Sequence, residues 1–328
     1  MLHLIRKYAG KPLERRARRL ADEFLRQTER APEVQQARLL ELIRRNADSQ
    51  FGRDHHFHEI HSAADFRKRV PIRGYDGHEP YIAKVRQGDT RALFGPDTKI
   101  LMFAMTSGTT AAPKTIPVTR ESLQNYRDGW TIWGIRAFDA HPPMLAAGLR
   151  PILQLVSNWR EQFTSAGIPC GAITGLTAHM QNLLVRTTYC MPPVTMGIKD
   201  IESKYYVALR LSAHRDLGAT MAANPSTLLG IAKLGDREKE TLIRDFRDGT
   251  LSPKWDVSAE IRKALSWRIG LKRKGRPAGW KRSSLALVVS SLATIGPGST
   301  SWPTGRAAQW ALISGNIPSI SARNRSAT

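Results

Sequence analysis

The sequence predicts an α/β protein with a largely parallel sheet. Three short apolar runs have the length of strands: Ile100–Ala104, Pro151–Ser157 and the small-residue run Leu217–Ala223. Longer segments with helical spacing of apolar residues alternate with them, which is typical of βαβ units. At 328 residues with 41% hydrophobic side chains, the chain is long enough to bury a large core in one or two domains.

Residues 1–50 predict a helical N-terminus made of two basic amphipathic helices. Apolar side chains recur at helical spacing in both: Leu13, Ala17, Leu20, Ala21, Phe24 and Leu25, then Val34, Ala37, Leu40 and Ile43. The basic face is open to two interpretations, a surface for nucleic acid or membrane, or solvated arginines above a packed apolar stripe. We favour the second.

A third helix is predicted to end at Val70, because Pro71 disfavours the helical conformation of the residue before it. A histidine cluster precedes this helix, in a predicted loop around Phe57: His55, His56, His58 and His61. No cysteine or carboxylate pattern of a zinc motif accompanies the histidines, so we assign them no metal.

Further helices are predicted over Arg120–Ala140, Thr177–Thr187, Ile201–His214 and Arg237–Arg247, and at Pro225, which suits a first helical position. Trp130 and Trp133 are interpreted as core residues, with the wall of an acyl-substrate pocket as the alternative. Cys170 and Cys190 are predicted to be two buried thiols in a reducing compartment.

The stretch from Met105 to Thr119 predicts a loop that grips phosphate. It places four hydroxyls, one glycine and one lysine directly after a buried strand: Thr106, Ser107, Gly108, Thr109, Thr110 and Lys114. Glycine lets the backbone approach a ligand, and successive N–H groups in such a turn form a concavity for anions. Hydroxyls add donors and lysine adds a compact positive charge. An ordinary Ser/Thr-rich turn is the alternative.

This loop resembles the phosphate-binding signature of the adenylate-forming superfamily, and its flanks resemble the auxin-responsive Gretchen Hagen family of acyl acid–amido synthetases. The matching motifs keep their order along roughly residues 15 to 265: Asn46–Gly52, Phe66–Asp76, Pro80–Ile82 with Gly88, Ile116–Thr119 and Asn224–Leu229. One position departs from the pattern, since Ala111 and Ala112 stand where the family usually has a glycine-containing spacer.

The resemblance implies ATP and Mg²⁺ as cofactors and assigns the six loop residues to the β- and γ-phosphates of ATP. It also implies a small carboxylic acid and an amino acid or amine as substrates. The family's later motifs, a Ser-Glu strand-loop, a ribose-binding Asp and a C-terminal lid, are not found. We therefore expect an incomplete N-terminal domain of the adenylate-forming fold, inactive as a fragment, with impaired ATP binding and no assigned catalytic residue or metal ligand.

The net charge of +22 is concentrated at the C-terminal end. Residues 266–328 contain ten Lys or Arg and no acidic residue, and the last carboxylate of the chain is Glu260. Such a stretch is unusual for a folded domain. It predicts two regions, a partial synthetase domain over residues 1–265 and a non-homologous, disordered basic tail over 266–328. The alternative function is a basic nucleic-acid-binding protein that acts through this tail.

The tail also has the composition expected of a frameshift product. Tryptophan has a single codon, so the codons read across its junctions in the shifted frame are fixed: alanine after Trp302, glycine after Trp310 and glutamate after Trp280. Compatible codons across residues 275–328 allow a shifted peptide that regains carboxylates and resembles the same family.

The sequence contains no signal peptide and no apolar run long enough to span a membrane. We therefore expect a cytoplasmic protein without a membrane partner, and we do not expect nucleic acid as a ligand.

Overall fold

The computed structural model describes residues 10–106, 114–144, 150–215, 217–222 and 224–270. In chain order the helices and strands are α1 (Lys11–Thr28), α2 (Ala31–Asn46), α3 (Gln50–Asp54), α4 (Ala63–Arg69), α5 (Glu79–Arg86), β1 (Ile100–Met105), β2 (Thr115–Thr119), α6 (Arg120–Ala140), β3 (Ile152–Gln154), β4 (Gln162–Phe163), β5 (Pro169–Gly171), α7 (Ile173–His179), α8 (Leu183–Arg186), α9 (Ile201–Ser212), β6 (Ala219–Met221), α10 (Pro225–Arg237), α11 (Lys239–Asp248) and α12 (Ala259–Ile269). They form two compact units, the first from residues 10–140 and 156–181 and the second from 141–155 and 182–270.

The first unit contains a four-stranded mixed sheet in the order β2-β1-β5-β4. Strand β1 pairs antiparallel with β2 and parallel with β5, and β4 pairs antiparallel with β5. The prediction of a largely parallel sheet is therefore wrong for this unit. The reason is the short link between β1 and β2, which allows neighbouring strands to pair only as a hairpin, whereas a parallel pair needs a long crossover.

Two predicted helices of the N-terminus are confirmed as α1 and α2, but the packed stripe of α1 is narrower than predicted. Ala21 is fully buried, whereas Phe24 and Leu25 remain 49% and 48% exposed. Ion pairs hold α1 against α6: Arg18 to Asp139 at 2.6 Å and Arg136 to Asp22 at 2.8 Å. In α2, Ile43 is buried in a cluster with Phe57 and Ile60.

The Asn46–Gly52 motif forms a tight corner at the end of α2. Ser49 Oγ donates to the Asn46 carbonyl at 2.7 Å and accepts from the Gly52 amide at 2.9 Å. Asn46 Oδ1 accepts from the Gly95 amide at 2.9 Å. A Cβ at position 52 would lie 2.3 Å from the Asn46 carbonyl oxygen, and one at position 95 would lie 2.2 Å from that of Arg45. Both positions therefore require glycine.

Helix α6 begins with a charged anchor. Glu121, in its first turn, accepts from Arg38 and Arg45 of α2. Partial burial raises the pKa of the Glu121 carboxyl, but the hydrogen bonds from Arg38 and Arg45 outweigh it and lower that pKa overall. The predicted bounds of this helix, Arg120–Ala140, are confirmed at both ends.

The second unit contains a parallel two-stranded sheet and packed helices. Strand β3 pairs with β6 from Ile152 opposite Ala219 to Gln154 opposite Met221. Helix α9 is the central helix, and its Tyr206 is fully buried and stacks on Trp255 with 4.4 Å between the ring centroids. The two strands predicted in this unit are confirmed as β3 and β6, which are shorter than predicted. The helices predicted to begin at Ile201 and Pro225 are confirmed as α9 and α10, which begin at these residues.

A buried polar network joins α9 to the end of α11. Asp245 is 2% exposed and accepts three hydrogen bonds, from the Tyr206 hydroxyl at 2.6 Å, the Thr250 hydroxyl at 2.7 Å and the Ser252 amide at 2.8 Å. Burial, followed by the bond to Asp245, raises the pKa of Tyr206 far above its usual range. Gly249 ends α11 at φ 69°, a left-handed conformation that glycine adopts without strain.

One sequence prediction meets a correction in this part of the chain, and the domain boundary at residue 265 stays a prediction. The helix predicted over Thr177–Thr187 is two short helices, α7 and α8, because Asn182 caps a new helix by accepting from the Leu184 amide at 2.8 Å. Helix α12 continues past the predicted boundary at residue 265 and buries Ile269. Residues 271–328, which hold the rest of the predicted tail, lie outside the described residues, so the tail stays a prediction.

Candidate phosphate-binding site

The predicted phosphate loop joins β1 to β2 as the end of a hairpin. Met105 faces Thr115 at the last pair of the ladder. Beyond it, the Thr106 amide donates to the Lys114 carbonyl at 3.0 Å, and the Lys114 amide donates to Thr106 Oγ1 at 3.3 Å. The structure therefore describes both ends of the loop, whereas four predicted site residues lie outside the described residues: Ser107, Gly108, Thr109 and Thr110.

Thr106 and Lys114 are both exposed. The Lys114 ammonium lies over the ring of Tyr75, with Nζ 5.4 Å from the ring centroid. Within the described residues, no carboxylate lies within ion-pair distance of that ammonium. The two ends of the loop therefore carry an exposed threonine and an exposed lysine, a combination that suits an anionic ligand.

Tyr75 supports the second end of the loop. Its hydroxyl donates to the Thr115 carbonyl at 3.1 Å and accepts from the Thr115 amide at 3.1 Å. The tyrosine ring packs against a buried cluster that includes Val85 and Phe103. One side chain thus connects the core to the residue that follows Lys114.

Arg86 of α5 contacts Thr115 as well. Its guanidinium donates to Thr115 Oγ1 at 2.8 Å and to Glu79 of the same helix, α5. The second carboxylate oxygen of Glu79 is buried and has no partner among the described residues. The side chain of Thr115, 7% exposed, is therefore held by a charged group as well as by Tyr75.

The described residues include no cluster of side chains that would hold a metal ion. No group of three or more His, Cys, Asp or Glu among them is placed to hold an ion. Mg²⁺ commonly binds through one or two carboxylates together with substrate phosphates, so such an ion would enter with the nucleotide.

The histidine cluster has structural contacts. His55 is buried, stacks on Phe51 at 4.1 Å between centroids and places Nδ1 2.9 Å from the Phe51 carbonyl oxygen. His58 lies 3.1 Å from Asp48, and His56 lies 3.4 Å from Glu59. His55, His56 and His58 thus each contact a different residue.

The two tryptophans of α6 are half-buried, so their prediction as core residues is wrong in degree. Trp130 and Trp133 meet edge to face, with 5.5 Å between their centroids. The outer face of an amphipathic helix is exposed to solvent, and residues at the border of its buried stripe are covered on one side only. Their alternative role as the wall of an acyl pocket stays a prediction.

Both cysteines are free and buried, as predicted. Burial raises the pKa of the Cys190 thiol to about 11, although Arg215 and Arg268 act in the opposite direction. Burial also raises the pKa of Cys170, against a lowering effect of Arg86. Neither thiol is suited to act as a nucleophile near neutral pH.

Comparison with known protein families identifies the chain over most of its length. The GH3 family N-terminal domain matches residues 20–281. The chain belongs to the GH3 family. The match includes the hairpin from β1 to β2 and ends beyond the predicted boundary at residue 265. The family resemblance drawn from the ordered motifs is therefore confirmed.

Its relatives include plant proteins named as amido or amino acid synthetases. The indole-3-acetic acid-amido synthetase GH3.5 of Arabidopsis thaliana is 24% identical over 234 residues, which are 69% of this chain and 37% of that protein. The jasmonoyl–L-amino acid synthetase GH3.3 of Oryza sativa subsp. japonica is 25% identical over 259 residues, 75% of this chain and 54% of that protein. The chain thus spans about a third to a half of the length of these relatives.

Solved structures share the fold. The GH3.15 acyl acid amido synthetase superposes with a TM-score of 0.64 at 17% identity, over 80% of this chain and 45% of that one. Its complex with 2,4-DB gives a TM-score of 0.65 at 18% identity, over 80% and 44%. The described residues therefore have the mixed α/β fold of part of a GH3 enzyme. None of the described helices is long and apolar enough to cross a membrane.

Proposed function

We propose that this GH3 chain derives from an ATP-dependent acyl acid–amido synthetase and retains the phosphate-binding part of that site. In the parent reaction a carboxylate oxygen attacks the α-phosphorus of ATP, which gives an acyl-adenylate and releases pyrophosphate. The nitrogen of an amino acid or another amine then attacks the acyl carbon, forming an amide as AMP leaves. The relatives are named as synthetases of this kind.

One observation supports the proposal most strongly, the placement of Thr106 and Lys114 at the open end of a braced hairpin. The two residues are exposed and hydrogen-bonded to each other through the backbone and the Thr106 hydroxyl. A polyphosphate that approaches this end meets a hydroxyl and an ammonium. The six loop residues are proposed to hold the β- and γ-phosphates.

The 328-residue chain is proposed to bind nucleotide weakly and to be inactive in adenylation. Adenylation needs in-line positioning of the carboxylate and neutralisation of phosphate charge by Mg²⁺ at the same time. A single loop supplies part of the second requirement and little of the first. ATP, Mg²⁺, a carboxylic acid and an amine are therefore proposed ligands of the ancestral site.

The test combines binding with turnover. Calorimetry with MgATP and with tripolyphosphate compares the wild type, Lys114→Gln and the matched control Lys263→Gln, an exposed lysine of α12. We expect Lys114→Gln to weaken binding about tenfold, the usual worth of one charge-assisted contact, while the control binds as the wild type does. Equal binding by all three proteins would refute the proposed site.

Turnover is measured as pyrophosphate release in the presence of indole-3-acetate, jasmonate or 2,4-DB, the acids named for the relatives. We expect no release above the rate without acid. Acid-dependent release that disappears in Lys114→Gln would instead show a working adenylating enzyme, and the proposal of an inactive chain would be withdrawn.

The net charge of +22 favours one alternative, a nucleic-acid-binding protein that acts through residues 266–328. A DNA mobility shift that weakens with salt and is lost when residues 266–328 are deleted would support it. The proposed frameshift is tested separately, by the nucleotide sequence around codons 260 to 270. An intact frame without a synthetase-like continuation in the shifted frame would reject it.

A further inference from the structure

Strand β2 lies at the edge of the sheet in the described part of the chain, and at Thr115 a side chain bonds this outer edge. In an antiparallel ladder, successive residues point their N–H and C=O groups to opposite sides. The Lys114 carbonyl points towards β1, where it accepts from Thr106. Thr115 consequently points both backbone groups away from β1, and these are the groups that the Tyr75 hydroxyl binds.

A phenolic hydroxyl can satisfy both groups because it is a donor and an acceptor at once. The loss of that single oxygen would leave the Thr115 amide and carbonyl without their partner. The ring of the same tyrosine faces the Lys114 ammonium at 5.4 Å. Tyr75 therefore contacts the backbone after Lys114 and the charged end of its side chain.

Arg86 adds a second support, at the side chain of Thr115. It binds the buried Oγ1 of Thr115 and is itself held by Glu79. Thr115 thus has its amide, carbonyl and hydroxyl all fixed by α5 and the turn before it. Position 115 has little freedom to shift, and Lys114 is the next residue along the chain.

We propose that Tyr75 is a positioning residue for phosphate binding, which holds Lys114 in place through Thr115 and through its ring, with Arg86 in a supporting role. This inference rests on the proposed function of the loop. It assigns no contact between Tyr75 and the ligand. Tyr75 acts through Lys114, so its effect on binding should depend on Lys114 being present.

A double-mutant cycle tests that dependence, with MgATP and tripolyphosphate as probes and the full chain as the protein. Tyr75→Phe removes the hydroxyl and keeps the ring. We expect it to weaken binding about fivefold in the wild-type background, the usual size of a lost hydrogen-bonded support, and less than about twofold in the Lys114→Gln background. The matched control is Tyr81→Phe, which removes a hydroxyl on α5, the helix that follows Tyr75; this hydroxyl donates to Asp54 at 2.8 Å.

Equal losses in both backgrounds, or no loss in either, would overturn the inference. Tyr75→Leu, which also removes the ring, should weaken binding further than Tyr75→Phe. If it does not, the ring has no part in holding the ammonium.

Hydrogen exchange separates failure of this inference from failure of the proposed function. The Thr106 amide, which bonds to Lys114, should exchange about tenfold faster in Tyr75→Phe and at the wild-type rate in Tyr81→Phe. If the wild type binds neither probe, the proposed function fails, and the exchange rates alone decide whether Tyr75 holds the hairpin. If the Thr106 amide exchanges at the wild-type rate in Tyr75→Phe, Tyr75 does not hold the hairpin, whatever the binding measurements show.

Discussion

Arg262 of α12 holds the irregular segment before that helix, and its replacement gives the sharpest test of how the second unit is stabilised. Its guanidinium donates four hydrogen bonds of 2.7–3.0 Å to backbone carbonyls. The acceptors are the carbonyl oxygens of Leu251, Ser252, Trp255 and Val257. The planar fork of arginine spreads five N–H donors over three nitrogens and so reaches these four acceptors, whereas lysine has three donors on a single nitrogen.

The expected cost follows from these four bonds. A hydrogen bond contributes about 0.5–1.5 kcal/mol net, and one to a charged group about 1.5–3 kcal/mol. Because Arg262 is partly exposed, water can replace part of what is lost, so we use about 0.75 kcal/mol for each bond, a value in the lower half of the first range. Arg262→Met, which keeps the apolar stem, should lower the free energy of unfolding by about 3 kcal/mol. Arg262→Lys should lower it by about 2 kcal/mol.

The assay is urea unfolding followed by tryptophan fluorescence, together with hydrogen exchange of the α12 amides. Lys263→Met is the matched control, because it removes one charge from the neighbouring, exposed position of the same helix. We expect it to change the free energy by less than about 0.5 kcal/mol. Similar values for Arg262→Met and Lys263→Met would refute the role given to the four carbonyl bonds.

Three further predictions follow from close contacts and burial. Gly52→Ala should lower the free energy of unfolding by about 2 kcal/mol or more, because its Cβ would meet a backbone oxygen at 2.3 Å. Gly129→Ala, whose Cβ would have nothing within 4 Å, should raise the free energy of unfolding by about 0.5–1 kcal/mol; urea unfolding measures both changes. Cys190 should react with a thiol reagent at pH 8 far more slowly in the native protein than in guanidinium, because burial raises its pKa to about 11; equal rates would contradict this. Since the pKa of Glu121 is lowered in the folded state, its stabilising effect should be present at pH 7 and disappear as pH falls through that lowered value. Wild type and Glu121→Gln should therefore differ by about 0.5–1 kcal/mol at pH 7 and converge once the pH is well below the ordinary carboxyl range; a difference that persists there would argue against the ion pairs.

Periodicity predicted long helices well because each has a clear local start. Helix α6 is confirmed at both ends, and its start carries a signal in the sequence, since Thr119 and Ser122 bind each other's backbone amides. Pro225 likewise begins α10, with Asn224 accepting from the Ser226 amide. The sequence contains these caps within four residues, so no knowledge of distant parts of the chain is needed.

The errors arose where distant or competing contacts decide. Asn182 stops the predicted helix over Thr177–Thr187 by capping a new one, a choice that apolar spacing does not reveal. Strand β2 is not among the predicted strands; it contains Pro117 and is an edge strand within the described sheet, where proline is tolerated. Antiparallel pairing across the loop then followed from the loop's shortness.

The candidate site could be predicted only in part. The hydroxyls, the glycine and Lys114 are contiguous and form a recognisable signal. Tyr75 lies 40 residues before Thr115, and Arg86 lies 29 residues before it. Tyr75 belongs to a motif that supported the family resemblance, yet nothing in the sequence indicates that its hydroxyl would reach the backbone of β2. Such long-range supports require the tertiary structure.

The corner at the end of α2 has a consequence for how this unit can vary. Hydrogen atoms at positions 52 and 95 face backbone oxygens at distances that exclude a methyl group. The end of α2, the start of α3 and the segment at Gly95 are therefore in direct backbone contact. A change that displaces one of these three segments must displace the other two. Substitutions in the first unit should therefore be tolerated at the glycines of α6, where a Cβ would meet no other atom. They should be excluded at positions 52 and 95, where the glycine Cα packs against a backbone carbonyl.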